Sequence, residues 1–346
     1  MHTISGTNEG RFVLAEAGSF SAEANPSVAV LVPCHNEELT VAGVVEAFAN
    51  ALPAAAVYVY DNRSTDRTAE IAVAAGATVR SEPRPGKGSV VRRMFADVEA
   101  DVYVLVDGDG TYDAAAAPRM VELVASGFVD MVVASRAGIY ENAHRTGHGL
   151  GNRVFNAFYK AVFGPEFSDI FSGYRAFSRR FVKSFPAVSR GFEIETEMSV
   201  HASQLRLPVA EIEVAYRQRP EGSVSKLNTL RDAARILRMM LILYKEVRPA
   251  RFFGSIAAAL FGASLLLGVP LLETFLETGF VPRFPTAILA TGLAVLSAIA
   301  LTCGLILDSV ARGRLEQKRF AYLAQTTSGF QPRSPTGCRA AVARRR

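Results

Sequence analysis

Val102-Tyr103-Val104-Leu105-Val106-Asp107-Gly108-Asp109 decides how the rest of the chain is read. Its apolar run predicts a buried β-strand, and two aspartates emerge together at that strand's C-terminal end. Open α/β sheets bind their ligands at this edge. Carboxylates flanking a single glycine can turn toward one hard divalent cation, Mg²⁺ or Mn²⁺, of the kind usually shared with substrate phosphates. The same tripeptide also serves as an ordinary turn, so the surrounding loops must decide between the two.

Working outward, the strand-then-helix pattern repeats. Val28 to Val32 is an apolar run stopped by Pro33, and Val41, Val44, Val45 and Phe48 then recur at helical spacing within 37–51. Val57 to Tyr60 precedes a helix predicted over 65–75, Ala77 to Val79 one over 87–98, and Val102 to Val106 one over 114–125, with Met131 to Val133 following. Such alternation predicts an α/β fold, a mainly parallel sheet flanked by helices. The loops at the predicted strand ends are polar in concert: Pro33-Cys-His35-Asn-Glu37, Asp61-Asn-Arg-Ser-Thr-Asp66 and Asp107-Gly-Asp109. Ser64 to Asp66 read as helix-capping residues; Asp61 is left for a ligand.

The chain has 346 residues, 49% of them apolar, and a net charge of +5. Residues 311–346 hold nine Lys/Arg against Glu316, so that tail carries +8 and the remainder −3. A basic tail on an acidic body fits an anionic membrane surface and argues against nucleic acid. Phe252 to Leu272 and Phe284 to Leu307 contain no charged residue, and each reaches the roughly 20 residues needed to cross a bilayer. Arg248 and Arg251 precede the first, while Arg312, Arg314, Lys318 and Arg319 follow the second; the positive-inside bias puts both flanks in the cytoplasm. Cys34, Cys303 and Cys338 make no disulfide framework or zinc site. The first 27 residues, with Glu9, Glu16 and Glu23, do not read as a secretory signal.

In combination and order, Val30-Leu-Val-Pro-Cys-His-Asn-Glu-Glu38, Tyr60-Asp-Asn-Arg-Ser-Thr-Asp-Arg-Thr68, Gly86-Lys87-Gly88, Asp107-Gly-Asp-Gly-Thr111, Ala134-Ser135-Arg136 and Asp169-Ile-Phe-Ser-Gly-Tyr-Arg175 resemble the glycosyltransferase family 2 catalytic domain of the dolichyl- and polyprenyl-phosphate sugar synthase type. The resemblance covers 28–226 and implies a GT-A nucleotide-sugar-binding domain. Around it the expected plan is an extension over 1–27, an amphipathic juxtamembrane helix over 227–250, a two-helix transmembrane hairpin over 251–308 and a basic cytoplasmic tail over 309–346. The resemblance implies that Pro33, His35, Glu37, Asp61 and Lys87 bind a UDP- or GDP-linked donor, and that Asp107 and Asp109 hold the metal against its diphosphate. Asp169 and Arg136 would face the reacting centre. Two positions differ from the family's habit: Asn62-Arg63 where Asp-Gly is common, and Thr111 where Gln often stands.

Breaking a sugar–phosphate bond leaves about three negative charges on the nucleoside diphosphate, which a divalent ion stabilises. A lipid phosphate acceptor is already ionised at neutral pH, with a second pKa near ~6, so cations matter more than a base. Ser135, Arg136, Arg145, Arg175, Arg217, Arg219 and Lys226 are the candidates, arginine because its planar fork grips phosphate oxygens in pairs. His144 and His148 read as loop residues. Glu193 and Glu195 open a predicted helix as an acidic first turn, and the resemblance puts the first near the donor sugar. Together these features predict a membrane-bound inverting transferase moving one sugar to a polyprenyl (undecaprenyl or dolichyl) phosphate, at the inner membrane. Transfer to a saccharide or other non-lipid acceptor is the alternative. A processive synthase fits less well, because the chain has no Trp and two predicted spans; a homo-oligomer is compatible with it.

Overall fold

Short apolar runs become the strands of one seven-stranded sheet in the structure, a computed structural model that describes residues 26–137, 167, 169–189, 191, 193–217, 238 and 241–325. The strands are β1 (Val28–Cys34), β2 (Ala56–Asp61), β3 (Thr78–Ser81), β4 (Val102–Leu105), β5 (Met131–Ala137), β6 (Arg175–Ser178) and β7 (Val209–Ala215). Their order is β3-β2-β1-β4-β6-β5-β7. All pairings are parallel except those of β6, which runs antiparallel between β4 and β5. Consequently β1, β2, β4 and β5 end at one edge, and β6 begins there.

The helices are α1 (Val41–Ala51), α2 (Thr68–Ala74), α3 (Lys87–Asp97), α4 (Ala117–Ala125), α5 (Arg179–Ser184) and α6 (Ile194–Leu205). Both faces of the sheet are covered, so successive residues of the central strands enter different cores. Leu31, Tyr103 and Leu105 pack with Met94, Phe95, Phe181 and Met198. Val30, Val32 and Val104 pack on the other face with Val44, Phe48 and Met120.

Two helix starts and one strand are the main differences from the sequence reading. α1 starts at Val41 rather than 37, because residues 37–40 close a turn in which the Glu37 carbonyl accepts from the Thr40 and Val41 amides. α2 starts at Thr68, where Asp66 Oδ1 accepts from both the Thr68 amide and its hydroxyl. β6 was not foreseen as a strand: four residues opening on an arginine are too few to display a period.

Two long helices follow, α7 (Pro249–Thr278) and α8 (Phe284–Leu323). Both are long and apolar enough to cross a membrane, with mean hydropathy 2.1 and 2.2, and their most apolar windows are only 11% and 22% buried, so they are not core helices. They are stapled together where Ser264 Oγ donates to the Ala290 carbonyl and Ser297 Oγ to the Ala257 carbonyl. The chain does not leave α8 at 308 as a tail: the helix continues for another fifteen residues to Leu323, supported by an Arg312–Asp308 ion pair one turn apart. That extension reaches the sheet domain, where Tyr322 donates to Asp130 and Lys318 to Gln204. Residues 241–247 are helical; most of the predicted juxtamembrane helix lies outside the described residues.

Candidate functional site

The loop after β2 shows why this chain carries Asn62. Its side-chain amide donates to the Glu82 and Arg84 carbonyls, and its Oδ1 accepts from the Gly86 amide, so one buried residue joins the β2, β3 and α3 loops. Asn36, at φ 53, ties the β1 loop to the same region: its amide donates to Ser64 Oγ and its Oδ1 accepts from the Thr65 amide. Ser64 is therefore a loop brace rather than a helix cap. Beside it, Asp61 Oδ2 accepts from the Ser64 amide, while Oδ1 is buried with no partner. A buried carboxylate oxygen without a donor marks a place where a ligand's N–H or O–H would fit.

Asp107 and Asp109 lie just past β4 at the same edge. Gly108 is required between them, because a Cβ there would stand 2.5 Å from Cys34 Sγ. Asp109 is buried, and its Oδ1 accepts from the Thr111 amide and hydroxyl, so Thr111 orients this carboxylate. Asp107 Oδ1 meets the Lys87 ammonium, which also meets Glu195 Oε1. Burial opposes charge on Lys87, yet the two carboxylates outweigh it and hold the ammonium protonated. Burial pushes the Glu195 carboxyl upward, against the pull of Lys87. Asp107 Oδ2 faces Gly173, where a Cβ would collide with it.

Across from this cluster, Arg136 at the end of β5 grips both oxygens of Asp169, Nε to Oδ2 at 2.7 Å and Nη2 to Oδ1 at 2.8 Å. Burial pushes the Asp169 carboxyl up, but these bonds from Arg136 hold it below the usual carboxylate range. The guanidinium lies 5.5 Å from the Tyr216 ring centre, and that ring packs edge-on against Tyr112. Tyr112 accepts from the Gly173 amide, which links the arginine side of the site to Asp107. Burial raises the Tyr112 hydroxyl, so it stays protonated.

The edge thus collects Pro33, His35, Glu37, Asp61, Lys87, Asp107, Asp109, Arg136, Asp169 and Glu195. Glu193 stands two residues before Glu195, at the N-cap of α6. Arg217 follows β7 with an exposed side chain 3.9 Å from Asp113. Two expected phosphate ligands are corrected. Arg175 is 0% exposed and donates inward to the Ser172 and Ile170 carbonyls and to Ser199 Oγ, so it braces the β6 turn instead of meeting a phosphate. Ser135 spends its hydroxyl on the Ile212 carbonyl of the neighbouring strand. Arg145, Arg219 and Lys226 lie outside the described residues, as do His144 and His148. Tyr112 and Tyr216, which wall the site, were missed; tyrosines directly after two strand-end loops were the available signal.

Among the described residues no cluster of three His, Cys, Asp or Glu forms a protein-only metal cage. The donor set at Asp107 and Asp109 still fits a hard divalent cation that takes its remaining ligands from water and phosphate oxygens, as Mg²⁺ and Mn²⁺ do.

A mainly parallel sheet with acidic and cationic side chains gathered at its C-terminal edge defines an α/β domain with a ligand site at the strand ends. Residues 29–185 match Glycosyl transferase family 2. Glycosyltransferase AglJ of Haloferax volcanii is 36% identical over 240 residues, covering 67% of this chain and 77% of that protein. Protein RfbJ of Shigella flexneri is 50% identical over 123 residues, 35% of this chain and 95% of that protein. The fold resembles glucosyl-3-phosphoglycerate synthase from Mycobacterium tuberculosis, solved with Mn²⁺, UDP-glucose and phosphoglyceric acid, at TM-score 0.53 and 24% identity over 63% of this chain and 80% of that one. The chain belongs to glycosyl transferase family 2, and it is a glycosyltransferase.

Proposed function

We propose that this transferase moves one sugar, with inversion, from a nucleotide-sugar donor to a polyprenyl phosphate at the cytoplasmic face of a membrane. The observation that carries the reading is α8. One unbroken helix runs from an apolar segment into contacts with the catalytic domain. Its extension past 308 is about 22 Å long at 1.5 Å per residue, so the domain stays within reach of the bilayer and a lipid phosphate need not leave it. Asp61 offers its free oxygen to the base or ribose of the donor, and Asp107 and Asp109 would hold the divalent ion that neutralises the departing diphosphate.

Chemically, an acceptor phosphate oxygen forms the new bond at the sugar's anomeric carbon as the carbon–oxygen bond to the diphosphate breaks on the opposite face. The acceptor is already ionised, so no side chain has to take its proton. Asp169, with both oxygens on Arg136 and its carboxyl held low, is poorly suited to be a base. Its role in this reading is to aim Arg136, whose remaining donors and neighbouring Arg217 meet the acceptor phosphate.

A second reading, transfer to a soluble phosphorylated acceptor, is favoured by the fold neighbour solved with phosphoglyceric acid. Purified protein in detergent with Mn²⁺, a panel of labelled nucleotide sugars, and either undecaprenyl phosphate or 3-phosphoglycerate separates them. Label extracted into chloroform is the expected result. Label appearing only in the soluble product overturns the lipid reading and leaves the transferase intact.

A further inference from the structure

Asp107 already holds a cation, and it is the chain's own. The Lys87 ammonium lies between Asp107 Oδ1 and Glu195 Oε1, and the side chains of Lys87 and Glu195 are only 8% and 5% exposed. On the far side is bare backbone: a Cβ on Gly173 would stand 2.2 Å from Asp107 Oδ2 and 3.0 Å from Lys87 Nζ. Glu195 is half used, since its Oε2 is buried and accepts no hydrogen bond. The cluster is therefore one ammonium shared by two carboxylates, with a spare acceptor on the carboxylate farther from the metal pair.

A divalent ion and an ammonium on the same carboxylate oxygen repel each other at contact distance, so the two cations compete for it. We propose that Lys87 is a resident counter-ion that competes with the metal for Asp107, and that Glu195 is the positioning residue that receives the ammonium when the metal binds. This rests on the metal reading given above. Metal alone then binds weakly, because it must dislodge Lys87 without help. Metal with a nucleotide binds better, because the diphosphate supplies ligands to the ion and acceptors to the released ammonium. The device favours metal entry together with the donor.

Mn²⁺ titration of the full chain in detergent, followed by the electron paramagnetic resonance signal of free Mn²⁺ and with no nucleotide present, tests this apart from activity. Lys87→Gln is expected to tighten Mn²⁺ binding by about tenfold, the scale of one charge-assisted hydrogen bond. Glu195→Gln removes the receiving anion, leaves Lys87 to Asp107 alone, and is expected to weaken it. The double variant Lys87→Gln/Glu195→Gln removes a cation and an anion together, which keeps the buried charge balanced if the single variant does not fold, and it is expected to bind more tightly than wild type. No gain over wild type in Lys87→Gln and the double variant, whether through equal affinity or no detectable binding, overturns the proposal. A different failure is diagnostic of the metal reading itself: Asp107→Asn added to the Lys87→Gln background should abolish the gained binding, and if affinity is unchanged the ion is held elsewhere.

Discussion

Two aspartate clusters, one around buried Asp130 and one around half-buried Asp107, sit at opposite ends of the same sheet, and they are finished differently. Asp130, 1% exposed at the start of β5, is saturated by its own chain: Oδ1 accepts from Ser178 Oγ at 2.6 Å and faces Arg180, and Oδ2 accepts from the Tyr322 hydroxyl at 2.8 Å. Asp107, beyond the end of β4, shares one ammonium with Glu195 and turns its other oxygen to a glycine. The carboxylate oxygens left buried without a partner among the described residues, those of Asp61 and Glu195, are both at the Asp107 end. Burial of an acid therefore does not mark a site; acceptor capacity that the chain leaves unspent does.

The sharpest way to break this comparison is to exchange activity against stability at its two ends. Asp109→Ala should lower sugar transfer by about a hundredfold or more, since it removes half of the proposed metal anchor, while the denaturation midpoint in detergent falls less than in Asp130→Ala, because the bonds lost come from the adjacent Thr111 alone. Asp130→Ala should do the reverse. It loses bonds from a hydroxyl, a phenol and a guanidinium to one carboxylate, a cost of about 2–3 kcal/mol, with turnover per folded molecule retained. Equal loss of stability in both variants would erase the distinction.

A pH experiment sharpens the packed end. His201, between the rings of Phe181 and Phe185 with Nε2 3.1 Å from Ser184 Oγ, has its pKa pushed down to about 3, first by burial and then by the charge of Lys318. The unfolded imidazole takes a proton below its ordinary 6.5 and the folded one does not until about 3. Stability is thus complete above pH 6.5 and is lost as pH falls through that window, by about 1.4 kcal/mol per unit. His201→Phe should flatten this slope relative to wild type in unfolding followed by circular dichroism; an unchanged slope would mean that another group titrates.

Much of the architecture was legible because strands buried on both faces read as continuous apolar runs: β1, β2 and β4 need no tertiary information to be found. The metal pair was legible for the same reason, since Asp107 and Asp109 follow the clearest of those runs. Arg175 was misjudged because sequence shows a charge near a loop but not which way it turns; only the sheet reveals that β6 folds it inward onto the Ser172 and Ile170 carbonyls. That Tyr112 and Tyr216 form one wall was hidden for a related reason: they meet only when residues 104 positions apart are bridged. The extension of α8 was hidden by composition, because a basic, polar stretch looks like a tail until a partner surface is present.

The smallest expected effect concerns that partner surface. Tyr322→Phe keeps the ring, and with it the contact to the Arg180 guanidinium 4.8 Å from the ring centre, while deleting the bond to Asp130 Oδ2. The acid keeps Ser178 and Arg180, so the cost should be about 1 kcal/mol, that of one hydrogen bond. Such a loss would scarcely move the global unfolding midpoint, but it falls on the contact joining α8 to the catalytic domain and should appear as faster proteolysis after 308 in folded protein. Because the proposed lipid acceptor needs the domain close to the bilayer and a soluble acceptor does not, transfer to undecaprenyl phosphate in vesicles should fall further than hydrolysis of the donor. If both fall equally, the helix extension stabilises the domain without positioning it, and the argument from α8 to a lipid acceptor loses its footing.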